Sequence, residues 1–166
     1  MKKRIYILGG LGTGKNWLGE RLNKKLGVRF YDLDDLTWKK KYTIERSRAM
    51  KARMLDRICS KDEWIIGGVG ISFVGRVPKR ATEIIILKEK LSVESCRILR
   101  RYVKNKFRGK SDRLKFVISA GVWNYKNCHR VAGKLSAFYK ELEKKYPKKV
   151  VILNKKGVGE YLKKLL

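Results

Sequence analysis

Residues 9–16 read GGLGTGKN, directly after the apolar run RIYIL at 4–8 and at the head of a helical pattern over 14–26. Glycines at 9, 10, 12 and 14 let the backbone curl so that several N–H groups point at one centre. Lys15 adds a full positive charge, and the helix that follows presents its positive end to the same place. The spacing Gly9-x-x-x-x-Gly14-Lys15 between a strand and a helix is that of a phosphate-binding loop. A dinucleotide-binding turn is excluded, because no three glycines stand at i, i+2 and i+5. Asn16 occupies the position where such loops carry Ser or Thr, whose hydroxyl reaches a magnesium ion. Its amide oxygen is a hard acceptor and offers the ion an alternative ligand.

Around this loop, apolar runs alternate with helical patterns. The strands expected are 4–8, VRFYDLD from residue 28, EWII from 63, EIIIL at 83–87 and VVIL at 150–153. Helices are expected over 14–26, with Trp17, Leu18, Leu22 and Leu26 on one face, and over 44–60, with Met50, Met54, Leu55 and Ile58 inward. Others are expected from Ser92 to about 105, over 131–145 and over 157–166. Short continuous apolar strands separated by helices predict a parallel sheet covered on both faces. At 166 residues the chain is expected to be a single domain, 1–166.

Composition narrows the class. No apolar run approaches the roughly 20 residues that span a membrane. The start MKKRIYILGG mimics a signal peptide, but its apolar part is short and ends in the loop, so it reads as a strand. Cys59, Cys96 and Cys128 are far apart, odd in number and without a histidine cluster; His129 stands alone. That pattern favours reduced thiols in a cytoplasmic protein and disfavours a zinc site. Forty-three Lys and Arg against 15 Asp and Glu give +28. Such a charge suits nucleic acid, and equally any polyanion such as a nucleoside triphosphate; with lysines spread along the whole chain it fits a general lysine bias without such a partner just as well.

Two further groups carry chemistry. Asp32, Asp34 and Asp35 follow the second strand, whose end faces the crevice where ligands bind in parallel sheets. If the chain stays extended, alternation places Asp32 and Asp34 on one side, as metal ligands or as groups that orient an acceptor hydroxyl. The other reading is that they cap the next segment. In the helix from Ser92, Val93, Cys96, Leu99 and Val103 form an apolar stripe. Arg97, Arg100, Arg101, Lys104 and Arg108 form a basic face, and the planar arginine fork matches phosphate. Arg76 and Arg80 are further candidates for an acceptor site.

Beyond the loop, the blocks YDLDDLTW, KDEWIIGG, RATEIIIL and RILRRYVKNKFRGK resemble the topology modulation proteins, a group of adenylate-kinase-related P-loop proteins. The resemblance runs from residue 1 to about 110 and returns at the last strand and helix. It implies a three-layer nucleotide-kinase-like α/β fold with a five-stranded parallel sheet. It implies an arginine-rich lid over about 97–115, ATP as cofactor and a phosphotransferase activity. The expected ATP contacts are then Gly9, Gly10, Leu11, Gly12, Thr13, Gly14, Lys15, Asn16, Trp17 and Arg97. Lys15, Asp34, Arg97 and Arg101 are the expected catalytic residues, and Asn16, Asp32 and Asp34 the expected magnesium ligands. Gly67 departs from the family, which has Asp there, so both usual magnesium anchors differ. FYDLD followed by GGVG also resembles shikimate kinase, which keeps a small hydroxylated acceptor open beside a nucleotide.

Two functions follow from these observations. One is an ATP-dependent kinase of a nucleotide or small hydroxylated molecule, with an atypical magnesium site. The alternative is a catalytically weak nucleotide-binding protein that holds DNA or RNA on its basic surface. Phosphorylation of a polynucleotide end would combine them.

Overall fold

The computed structural model describes residues 2–10, 12–40, 43–68, 74–89, 97, 100, 133 and 135–165. Five strands form one parallel sheet: β1 (Arg4–Gly9), β2 (Phe30–Asp32), β5 (Trp64–Gly67), β6 (Glu83–Leu87) and β7 (Val150–Leu153). Their order across the sheet is β2-β5-β1-β6-β7. The three central strands β1, β5 and β6 are apolar because both their faces are covered, while the edge strands β2 and β7 are half-buried and Ile152 of β7 is exposed. On one face Ile5, Ile7, Ile65, Ile85 and Leu87 pack with Leu18 and Leu22 of α1 (Lys15–Leu26) and Val158 of α6 (Lys155–Lys164). On the other, Tyr6, Leu8, Trp64, Ile66, Ile84 and Ile86 pack with three further elements. These are α2 (Leu33–Thr37), α3 (Arg48–Cys59) and α4 (Val77–Arg80), with the helix α5 over 135–145 beside them. The alternation in each strand divides its residues between the two cores.

The expected five strands and the three-layer α/β architecture are present, with local differences. The helix expected over 44–60 begins only at Arg48, where the Ser47 hydroxyl accepts from Met50 N–H. Upstream, β3 (Trp38–Lys40) and β4 (Ile44–Glu45) form an antiparallel hairpin. Arg46 holds this hairpin, donating to the carbonyls of Asp35 and Trp38. Met50 is 52% exposed, and Trp17, expected on the buried face of α1, is 53% exposed with the Arg21 guanidinium over its ring. Cys59 is a buried free thiol, and burial pushes its pKa up to about 11. Cys96, Cys128, His129, Leu11, Arg101 and the rest of the lid segment lie outside the described residues, apart from Arg97 and Arg100. Among the described residues no helix is long and apolar enough to cross a membrane.

One packing contact fixes the edge of the sheet beside the loop. The Phe30 ring lies against Gly19 of α1 and Gly67 of β5. A Cβ at Gly19 would sit 2.3–2.6 Å from three ring atoms, and one at Gly67 would sit 2.8 Å from Cε2. The ring thus takes the room that a side chain at position 67 would need. This explains the glycine where the resembling family has Asp, and a positive φ is not the reason.

Gly19→Ala should therefore destabilise the protein, by about 1–3 kcal/mol of overpacking less the helix-propensity gain of up to about 1 kcal/mol. In a Phe30→Ala background the same change should become stabilising. Urea unfolding of the four proteins of this cycle reads the sign; no reversal would mean that Phe30 is not what demands the glycine.

Candidate functional site

The strand order places the loop. β1 lies between β5 and β6, so the chain leaving β1 enters the crevice where strand connections diverge to opposite sides of the sheet. Gly9 ends β1 and pairs in register with Leu87 of β6. The chain then curls through left-handed conformations at Gly12 (φ 83°) and Gly14 (φ 95°) and enters α1. Space does not exclude a side chain at Gly14, where a Cβ would meet only Arg97 Nη1 at 3.9 Å; the backbone conformation does. Thr13 is buried and ties the curl across itself, its hydroxyl donating to Gly10 O at 2.9 Å. Lys15 Nζ donates to the same carbonyl at 3.2 Å, so the lysine arches over the loop.

Asn16, in the first turn of α1, reaches to the end of β2, its Nδ2 donating to Asp32 Oδ2 at 2.5 Å. Asp32 ends β2, in register with Gly67. The expectation that Asp32 and Asp34 share a side by strand alternation does not hold, because the chain turns helical at Leu33. Asp32 Oδ1 instead accepts from Asp34 N–H at 2.9 Å and caps α2. Asp34 and Asp35 both lie in the first turn of that helix. Thus the structure brings Asn16 and Asp32 together and places Asp34 beside them through the cap. Arg76, exposed, pairs with Asp56 at 3.3 Å, and Arg80 lies in the last turn of α4.

Asn16 Oδ1 and the Asp32 carboxylate are hard oxygen donors at the mouth of the loop. Here Asn16 turns its amide nitrogen to Asp32, whose two oxygens both accept, so the pair would suit a magnesium ion that takes most of its ligands from phosphate and water only with the amide turned to present Oδ1. Among the described residues no group of three or more acidic, histidine or cysteine side chains forms a fuller metal site.

Three features escaped the sequence reading. Arg97, expected above the ligand, lies against the loop itself: Nη1 donates to Gly12 O at 3.0 Å and Thr13 O at 3.1 Å. Glu89 stands 3.6 Å from Arg97 Nη2. A cavity of about 660 Å³ opens past the ends of β6 and β7, lined by Lys88, Glu89, Asn154, Lys155 and Gly157 among others. It lies where parallel strands deliver their ligands. The acid at 89 and the Asn-Lys-Lys-Gly run at 154–157 were visible in the sequence, but only the pairing of β6 with β7 brings them together.

No family model matches the chain. The uncharacterized protein YqaC of Bacillus subtilis (strain 168) is 35% identical over 69 residues. That match covers 41% of this chain and 39% of the relative, so the chain spans about two fifths of the relative's length. Solved structures align over nearly the whole chain. They include a shikimate kinase from Bacteroides thetaiotaomicron (TM-score 0.55, 19% identity, 98% of this chain and 95% of that one). A second is the shikimate kinase of Acinetobacter baumannii, solved with shikimate (0.54, 18%, 97% and 89%). A third is a gluconokinase from Sinorhizobium meliloti 1021 (0.53, 15%, 99% and 90%). At these identities the likeness is one of fold, and the fold is that of the P-loop kinases.

Asp32 has two separable duties, a cap and a charge. Asp32→Ala should cost about 0.5–2 kcal/mol of stability through the lost cap. Asp32→Asn keeps an acceptor for Asp34 N–H and should stay within about 0.5 kcal/mol of the parent. Chemical denaturation separates the two; equal losses would show that the charge, and not the cap, stabilises this corner.

Proposed function

We propose that the protein is an ATP-dependent kinase that transfers a phosphoryl group to a nucleotide or a small hydroxylated molecule. The observation that carries this reading is the loop at 9–16, with its left-handed turn at Gly14, its lysine and its position after the central strand. Backbone N–H groups and the start of α1 would bind the β- and γ-phosphates, and Lys15 would move from Gly10 O onto them. The nucleoside would lie in the cavity past β6 and β7. A magnesium ion, held by Asn16 and Asp32 when bound, would offset charge on the transferring group. Asp34 would orient or deprotonate the acceptor hydroxyl, and Arg101 would supply a further cation. The sequence blocks at 31–38, 61–68 and 80–87 support a reading of the chain as similar to the topology modulation proteins. The fold neighbours add shikimate- and gluconate-like acceptors to be tried beside nucleotides.

A second reading is favoured by one face. Arg21, Lys24, Lys25, Lys155, Lys156, Lys163 and Lys164 are exposed on α1 and α6, against Glu20 and Glu160. That surface suits DNA or RNA held beside the nucleotide. Binding there should weaken with salt at a log–log slope near −0.9 per duplex phosphate contacted.

Lys15→Ala should weaken ATP binding by about 1.5–3 kcal/mol, the worth of a hydrogen bond to a charged group, with the fold intact. Calorimetric titration checks it, and unchanged affinity would remove the loop from the site. An ADP-release assay with magnesium, run on nucleosides, nucleotides, shikimate, gluconate and oligonucleotides, tests the activity. With Asn16 and Gly67 in place of the usual anchors, turnover should fall below the ordinary kinase range of roughly 1–100 per second. ADP release that no acceptor raises would leave the binding reading.

A further inference from the structure

We propose that Glu89 is a positioning residue for the phosphate loop: acting through Arg97, it braces the curl of residues 12–14 in its anion-binding shape. This rests on the reading of residues 9–16 as a phosphate cradle.

The fold fixes Glu89 first. It lies two residues beyond Leu87, the register partner of Gly9, so the end of β6 brings it beside the start of the loop. Lys88 N–H donates to Leu153 O at 2.9 Å, which holds the residue before Glu89 against the end of β7. The Glu89 side chain is only 9% exposed, and its Oε1 stands 3.6 Å from Arg97 Nη2. The other arm of the same guanidinium, Nη1, spans Gly12 O and Thr13 O.

The chemistry of a cradle explains the arrangement. Turning successive N–H groups toward one anion turns their carbonyls outward, where neighbouring oxygens crowd and repel. A single guanidinium across two of those oxygens offsets the repulsion and ties the curl from behind. Arginine suits this because its fork is planar and rigid. The fork needs a fixed orientation, and the nearly buried carboxylate of Glu89 supplies it through an ion pair at 3.6 Å. A carboxylate beside a triphosphate site would otherwise oppose binding, so its pairing with Arg97 also accounts for its being tolerated there. The competing role is direct: Glu89 lines the cavity and would accept from donors on a bound nucleoside.

Hydrogen exchange on the full-length protein without added nucleotide separates these. Glu89→Gln and Arg97→Ala should each speed exchange of amides in the peptide spanning 9–16 by at least about threefold, as expected for a loosened local unit. The double variant should be no faster than Arg97→Ala alone, because the two residues act in series. Arg97→Lys, which keeps the charge and loses the fork, should also speed exchange. Glu89→Asp should recover part of the protection. In ATP titrations Glu89→Gln should weaken binding about three- to tenfold, 0.65–1.4 kcal/mol by the tenfold-per-1.4 rule. Unchanged loop exchange in Glu89→Gln would overturn the proposal, as would additive effects in the double variant or tighter ATP binding. A parent protein that fails to bind ATP would refute the phosphate-cradle reading, while the exchange data would still decide whether Glu89 braces the loop.

Discussion

The structure depends on one backbone turn, the left-handed conformation at Gly14 that ends the curl and starts α1. Because the chain turns there, the first helix points its N-terminus back at the end of the central strand, and Lys15 and Asn16 diverge to opposite duties. Lys15 arches over the loop to Gly10 O, while Asn16 reaches across to Asp32 on the edge strand. A residue with a side chain at 14 would be strained regardless of the open space around it. The strain of an L-residue in that conformation is on the order of 1–2 kcal/mol.

A second constraint lies one strand over. The Phe30 ring fills the space between α1 and β5 that a carboxylate at 67 would need, and two glycines accommodate it. An acid stands one strand over instead, as Asp32 of β2, in register with Gly67. Asn16 and Asp32 are then parts of one arrangement. An amide in place of a hydroxyl has the length to bridge to the neighbouring strand, and the carboxylate it meets caps α2 at the same time.

Much of this was legible in the sequence, for physical reasons. Buried parallel strands must be apolar on both faces, so RIYIL, EWII, EIIIL and VVIL stand out, and the Gly-rich stretch between strand and helix has few uses besides anion binding. What the sequence concealed depends on pairing between distant segments. The cap at Asp32 defeated simple alternation because an Asp before Leu33 and Asp34 starts a helix as readily as it ends a strand. The hairpin before α3 was hidden because Ile44 fits a helical stripe as well as a strand. Trp17 and Met50 looked like core residues by spacing alone, yet both are over half exposed, since an apolar side chain at helical spacing does not say where the stripe ends. The contact of Glu89 with Arg97 and the loop joins three separate segments and exists only once the sheet is assembled.

The central claim is that this loop recognises phosphate, and a ligand series measures it most directly. Calorimetric titration of the intact protein with adenosine, AMP, ADP and ATP holds the base and sugar constant while the phosphate chain grows. A cradle built from backbone N–H groups and Lys15 predicts that ADP and ATP bind at least about tenfold tighter than AMP, a difference of about 1.4 kcal/mol, and that adenosine binds weakest. Equal affinities across the series, or adenosine as tight as ATP, would contradict the account.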